Sequence, residues 1–333
     1  MIAITGSTGF LGSHLLLHLL KLGKNIIAIK RPQSSYDYAK KVFELHNSLH
    51  LFYKIKWVDC NLFNYSEVVE ILNGVDVVFH TAAQVNFNNN KKEIINNNVT
   101  ITKNIINASI LQGVKRFGYV SSIATITNTI NGIGIENSSF EILSTQNPYT
   151  LSKCLAELEV WRGIHEGLPA VIINPSVILG YNRQWYIFES LIKLLKKGYL
   201  YYPPGKSSFV DIKDVVNIIA HLTLHTSITN QRFIVTSENL SYKELFNYIC
   251  EYLEISNHLK EIGKNKLILL GHLGLVFSSF TKKRFFDTYT ARLLTKDFSF
   301  SNKKICDTLN YKFIPIKESI RNMLEIYKKL NTN

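Results

Sequence analysis

The stretch "TGSTGFLG" at residues 5–12 constrains this chain more than any other. It ends the β-branched run "MIAIT" (1–5) and opens a helical pattern whose apolar positions include Leu11, Leu15, Leu19 and Leu22, stopping at Gly23. A strand, a glycine turn and a helix in that order aim the free N–H groups of a helix N-terminus at one point, where its partial positive charge attracts an anion. Gly6, Gly9 and Gly12 are spaced GxxGxxG, one residue longer between the first pair than the GxGxxG dinucleotide fingerprint. The physics is shared, because glycines allow the tight turn and let backbone approach a pyrophosphate. The reading is a dinucleotide site, with Gly6, Thr8, Gly9, Phe10, Leu11 and Gly12 against the cofactor.

The first half of the chain repeats this alternation. Strands are expected at 25–30, 54–59, 75–82, 116–122 and 170–176. Helical patterns lie around "SEVVEIL", from about Ile94 to Gln112 ahead of Gly113, and from near Tyr149. Strands alternating with helices give a parallel sheet covered by helices. After Pro175 the regularity breaks into a helical 188–198, a turn-rich "YYPPGKSSF" (201–209), a helix from Ile212, a strand at 232–236 and helices around 242–254 and 316–330. The expected class is α/β: a Rossmann-type doubly wound parallel sheet over 1–175, to which the chain returns near 209–236, and a smaller, mainly helical substrate domain from 176–333.

Composition narrows the partners. Hydrophobic residues make up 46% of the 333 and charged ones 19%, so a sizeable core is expected rather than disorder. The formal charge of +13 is spread in single and paired lysines, and the Asn/Ile/Lys richness of "NFNNNKKEIINNN" (86–98) points to compositional bias. No nucleic-acid partner is expected. Cys60, Cys154, Cys250 and Cys306 have no CxxC or ligand spacing and read as small buried hydrophobes in a reducing cytoplasm. His14, His18 and His80 have no second ligand spaced to join them, so no metal site is expected.

The N-terminus lacks the basic start and unbroken apolar stretch of a signal peptide. No run reaches the ~18 apolar residues of a membrane span. A soluble, cytoplasmic protein is expected. The segment "NKLILLGHLGLVFSSFTKKRFF" (265–286), flanked by Lys264, Lys266, Lys282, Lys283 and Arg284, reads as a lid or core helix of the substrate domain, with peripheral membrane contact as the alternative. Nothing in the sequence sets an oligomeric state.

Two further stretches carry chemistry. The second strand ends in "IKRP", placing Lys30 and Arg31 where a ribose 2′-hydroxyl wants a carboxylate. A guanidinium suits a 2′-phosphate, which favours NADP(H), with NAD(H) the alternative. In "NPYTLSK" (147–153), Tyr149 and Lys153 are four apart and share a helix face. A free phenol titrates near about 10, and a neighbouring ammonium favours phenolate. The pair follows "YVSSI" (119–123) by one loop, and ligands of parallel sheets bind at the carboxyl ends of strands. Ser121 and Ser122 lie at that end, where a hydroxyl can hold a substrate oxygen beside the phenol.

Together with "HTAA" (80–83), "NNVT" (97–100), "NPSVILG" (174–180) and "FVDIKDVV" (209–216), these segments resemble the extended short-chain dehydrogenase/reductase family of NAD-dependent epimerase/dehydratase type. The resemblance spans nearly the whole chain and is nearest the dihydroflavonol-reductase and 3β-hydroxysteroid-dehydrogenase branch. It implies that Tyr149 is the general acid/base, that Lys153 lowers its pKa and holds the nicotinamide ribose, and that Ser122 binds the substrate oxygen. Asn98 matches the asparagine that supports the proton relay. Thr81, Ala82 and Ala83 would line the cofactor, Arg31 would face the 2′-phosphate, and Pro175 would sit near the nicotinamide. The family's "GD" pair at the adenine is "CN" here, so Asn61, with Leu62, takes that place. The "IATI" after Ser122 carries no carboxylate, which argues against dehydratase chemistry.

The implied function is an NADP(H)-dependent oxidoreductase that interconverts a ketone and a secondary alcohol on a small substrate, apolar if 265–286 lines its pocket. An NAD-dependent nucleotide-sugar epimerase is the alternative. A non-catalytic dinucleotide-binding regulator is a third reading, against which the intact Tyr/Lys/Ser set argues.

Overall fold

The computed structural model describes residues 1–84, 91–126, 129–138, 147–199, 201–255, 258–281 and 288–331. The strands of the first half are β1 (Ile2–Thr5), β2 (Ile26–Lys30), β3 (Lys56–Asp59), β4 (Val77–His80), β5 (Arg116–Val120) and β6 (Ala170–Pro175). Those that follow are β7 (Val177–Leu179), β8 (Tyr201–Tyr202), β9 (Lys206–Asp211), β10 (Gln231–Val235), β11 (Glu238–Ser241) and β12 (Lys260–Glu261). The first helices are α1 (Phe10–Lys21), α2 (Asp37–Leu45), α3 (Leu49–Phe52), α4 (Tyr65–Ile71), α5 (Lys91–Leu111) and α6 (Pro148–His165). After them come α7 (Trp185–Lys196), α8 (Ile212–Leu224), α9 (Tyr242–Tyr252), α10 (Lys264–Thr281), α11 (Thr288–Leu293), α12 (Lys303–Leu309) and α13 (Ile316–Asn331).

Seven strands form one parallel sheet in the order β10-β6-β5-β4-β1-β2-β3, with Thr5 level with His80 and Tyr119 level with Ile172. The order reverses between β1 and β4, which opens a crevice at the carboxyl ends of those two strands. This is the doubly wound α/β fold. One face of the sheet carries α1, α2 and α8, where Ile4, Leu15, Phe43, Phe79 and Ile219 are buried together. On the other face α5 and α6 cover Val78, Ile105, Phe117, Val160 and Ile172. With apolar cover on both faces, the central strands read as unbroken hydrophobic runs rather than alternating ones.

The second half adds β8, β11 and α12 to the expected elements and differs most at 206–211. Residues 206–211 form β9, the middle strand of a small sheet β11-β9-β7, although Gly205, Lys206, Ser207 and Ser208 carry turn chemistry. Pairing on both edges overrides that local preference: Ser207 and Ser208 are buried, and the Ser208 hydroxyl donates to the Asn239 side chain. A third core gathers Trp185, Ile192, Phe209, Ile249, Ile316 and Leu324 beneath this sheet. The chain then returns to the main sheet, with β10 pairing with β6. The helix expected within 265–286 is α10; Lys282, Lys283 and Arg284 lie outside the described residues. Among the described residues no helix is long and apolar enough to cross a membrane.

Candidate active site

The phosphate loop is held by its own backbone. Gly9 N donates to Gly6 O at 2.8 Å, and Ser13 Oγ donates to Gly9 O at 2.7 Å and Ser7 O at 3.1 Å. Gly6 has φ +71°, a left-handed conformation that glycine adopts without steric cost. A Cβ on Gly12 would run into the Gly6 carbonyl, so α1 can seat this closely only with glycine there. Gly9 is the N-cap of α1; no side chain caps the helix and no acid stands in its first turn. The N–H groups of that turn therefore point into the crevice with their partial charge unneutralised, which fits the diphosphate of a dinucleotide.

The "HTAA" segment is tied to the same loop. Thr81 Oγ1 donates to Thr5 O at 2.7 Å, and Ala82 N donates to Thr5 Oγ1 at 3.3 Å. His80 is a structural residue: its Nδ1 bonds Thr5 Oγ1 at 2.7 Å and its Nε2 bonds Thr102 Oγ1 at 3.1 Å. Burial pulls its pKa down to about 3, so it bridges β1, β4 and α5 as a neutral ring.

Lys30 and Arg31 part company. Lys30 Nζ sits 2.5 Å from Asp59 Oδ1 and is thereby committed to β3. Arg31 is exposed, with Nε 3.4 Å from Ser34 Oγ in the loop before α2. At the end of β3 the Asn61 side-chain oxygen accepts from Phe63 N at 3.2 Å, and its backbone N donates to Glu67 at 2.8 Å. Leu62 is buried beside it, its carbonyl accepting from Asn104 at 2.9 Å.

The reacting groups converge at the carboxyl end of β5. Asn147 caps α6 by accepting from Tyr149 N at 2.7 Å, and Pro148 opens the first turn, so the helix begins where Tyr149 must stand. The Ser122 side chain lies beside the half-buried Tyr149 phenol. Burial pushes the phenol above its ordinary pKa, and Ser122 opposes part of that rise. Lys153 is 3% exposed and donates to Val120 O at 2.8 Å and Tyr119 Oη at 3.1 Å, with its ammonium 4.7 Å from the Tyr119 ring centre. Burial pulls its pKa down to about 8, while Glu157 pushes the other way.

Asn98 is buried on α5 and fully engaged. It accepts from Gln84 N at 2.7 Å and donates to Gln84 O at 3.0 Å and Ser152 Oγ at 2.9 Å. It thus joins the residue after the "HTAA" segment to α6. Pro175 ends β6, level with Val235 of β10. Of the two serines, Ser122 meets the phenol, whereas Ser121 turns inward and donates to Glu157 at 2.5 Å.

Two neighbours of the site are absent from the sequence reading. Glu157 is a buried carboxylate on α6, one turn past Lys153; its place on the face that carries Lys153, between Cys154 and Val160, is the signal that could have found it. Arg183, after β7, donates to Thr8 O at 2.8 Å and Ser35 O at 3.4 Å, bridging the phosphate loop and the loop that carries Arg31. No motif marks it.

Comparison with known proteins agrees with this geometry. The model of the "NAD dependent epimerase/dehydratase family" matches residues 2–235. Cinnamoyl-CoA reductase 2 of Medicago truncatula is 29% identical over 75% of this chain and 76% of its own length. A putative dihydroflavonol 4-reductase of Synechocystis is 27% identical over 74% and 70%. Among solved structures, the terminal R domain of the myxalamid PKS-NRPS pathway superposes with a TM-score of 0.81 at 18% identity, covering 99% of this chain and 91% of that one, a likeness of fold. With the family model spanning most of the chain and the phosphate loop built as it requires, this chain belongs to the NAD-dependent epimerase/dehydratase family and is an NAD(P)-dependent oxidoreductase.

Proposed function

We propose that the chain is an NADP(H)-dependent enzyme interconverting a ketone and a secondary alcohol, with Tyr149 as its proton-transfer group. The observation that carries the reading is the placement of Ser122 just past the carboxyl end of β5, Tyr149 in the Asn147-capped first turn of α6 and the buried Lys153 one turn further along. When bound, the nicotinamide supplies or accepts the hydride. Ser122 and Tyr149 both reach the oxygen of the reacting carbon, and Tyr149 gives that oxygen its proton as the carbonyl is reduced. A phenol carries its proton at neutral pH and burial favours that form further, so the resting site can give a proton to a carbonyl oxygen. The Lys153 ammonium, held on Val120 and Tyr119, steadies the negative charge left on the phenolate. Asn98 fixes the backbone at Gln84 and, through Ser152, the first turn of α6.

Arg31 is the residue proposed for the 2′-phosphate, beside Ser34 and Ser35, since Lys30 is spent on Asp59. The substrate pocket is assigned to the segments after residue 176. Two relatives described as reductases favour net carbonyl reduction over epimerisation.

Tyr149→Phe tests the proposal. It should bind cofactor as the wild type does and lose turnover by about 10³-fold, within the span of general acid–base catalysis. Near wild-type turnover overturns the assignment. In the same assay a tenfold preference for NAD(H) removes the NADP(H) reading, and protein that carries tightly held NAD⁺ without net reduction points to an epimerase.

A further inference from the structure

We propose that Glu157 is a positioning residue for the reaction, a buried carboxylate that fixes the Ser122 loop and provides the counter-charge for Lys153 from behind the site. This rests on the roles just proposed for Tyr149, Ser122 and Lys153.

Glu157 is 0% exposed and stands two turns past Tyr149 on α6. Its Oε2 accepts from Ser121 Oγ at 2.5 Å, Thr125 Oγ1 at 2.9 Å and Asn174 Nδ2 at 2.9 Å. Its Oε1 faces Arg232 Nη1 at 3.2 Å and Trp161 Nε1 at 3.4 Å. The same Thr125 hydroxyl and Asn174 amide also hold the Ser122 carbonyl, at 2.9 and 3.2 Å. The carboxylate therefore anchors the residues on both sides of Ser122 and, through its partners, the Ser122 backbone itself. Arg232, on β10, is in turn fixed by Glu136 O at 2.8 Å and Ser138 O at 2.5 Å.

A buried ion pair is an expensive way to hold a sheet edge, since well-packed apolar residues of similar volume often do as well or better. Lys153 gives the pair a second use. Its ammonium is met from β5 by the Tyr119 hydroxyl and ring and by Val120 O. From β4 it faces His80, which is neutral. On its own helix it has Tyr149 and Glu157, and Glu157 is the carboxylate whose charge reaches it. Removing that charge makes the ammonium easier to deprotonate.

The test is the pH profile of kcat/KM for carbonyl reduction in wild type, Glu157→Gln and Glu157→Asp. Removing the charge with Gln should displace the alkaline limb to lower pH by about one unit and lower kcat at least about tenfold, with cofactor Kd within about threefold. The Asp variant keeps the charge, so its limb should stay in place while kcat falls. An unmoved limb in the Gln variant overturns the proposal and leaves Glu157 as a fold residue only. If Glu157→Gln does not fold, the double variant Glu157→Gln/Arg232→Met, which also removes the cation that Glu157 pairs with, should move the limb in the same direction by less than the single variant would, because losing Arg232 favours the ammonium; no displacement there overturns the proposal. Lys153→Met is run in parallel: near wild-type turnover there refutes the reading of the site itself, whatever Glu157 does.

Discussion

Residues 1–175 and 176–331 reach the same crevice by different physical means. In the first, the groups at the site stand at strand ends or in the capped first turns of α6, and regular backbone with short local side-chain bonds sets where they lie. Gly6 and Gly12 let α1 close on β1, and Thr5 gathers His80, Thr81 and Ala82 around the loop. In the second, side chains span long sequence distances to hold irregular segments against that frame. His14 donates to Tyr181 O at 3.2 Å and Tyr38 Oη to the same carbonyl at 2.6 Å, fixing the turn from which Arg183 reaches Thr8. A backbone-determined site leaves a motif, whereas a side-chain-bridged one leaves scattered polar residues that look ordinary until the chain is folded.

Two glycines, one in each region, are the strongest means of breaking this contrast. Gly12→Val places a side chain against the Gly6 carbonyl and shifts the helix N-terminus proposed to meet the cofactor's diphosphate. Cofactor Kd, read by nicotinamide fluorescence titration, should rise by at least about 10³-fold. Gly205 is as crowded, since a Cβ there would lie 2.5 Å from both Leu294 O and Lys296 O, but those carbonyls belong to the later segments. Gly205→Ala should cost about 3 kcal/mol in denaturant unfolding, the upper range for overpacking, because backbone cannot give way as a side chain can. Its cofactor Kd should stay within about threefold. If Gly205→Ala abolishes cofactor binding, the two regions are one cooperative unit and the contrast fails.

The same division explains what the sequence disclosed. The parallel sheet was legible because β1, β2, β4 and β6 are short apolar runs separated by helical patterns with glycine stops, Gly23 and Gly113 among them, both at positive φ. The start of α6 was legible because Asn147, Pro148 and Tyr149 form a cap in three consecutive residues. β9 was not, since the pairing that buries Ser207 and Ser208 is invisible to local preference. Glu157 was missed for a related reason: a lone glutamate on a helix reads as a solvated group. Its partners Ser121, Asn174 and Arg232 come from the residue just past β5, from β6 and from β10, up to 75 residues away. The partner of Lys30 was not legible either, because Asp59 is level with it only once β2 and β3 pair.

Asp214 offers the finest test of side-chain bridging, through pH. It is 1% exposed on α8 and accepts from Tyr311 Oη at 2.9 Å and Ile314 N at 3.0 Å, holding the chain between α12 and α13 against the nucleotide-binding half. Burial pushes its carboxyl up to about 6 although both hydrogen bonds with those groups pull it down. In the unfolded chain it ionises near 3.8, so below that pH it is protonated in both states and its contribution to stability is fully present. As pH rises towards 6 the unfolded form releases its proton first, and the folded state loses stability until the folded carboxyl ionises too. The loss from this group is about 3 kcal/mol at most, about two pKa units at 1.36 kcal/mol each. Urea unfolding across pH 4–7 should show this downward component in the wild type, and Asp214→Asn should flatten it. An unchanged slope in the Asn variant would mean that Asp214 is ionised in the folded chain, making the junction a charge-assisted clamp on Tyr311 and Ile314 instead of a neutral one.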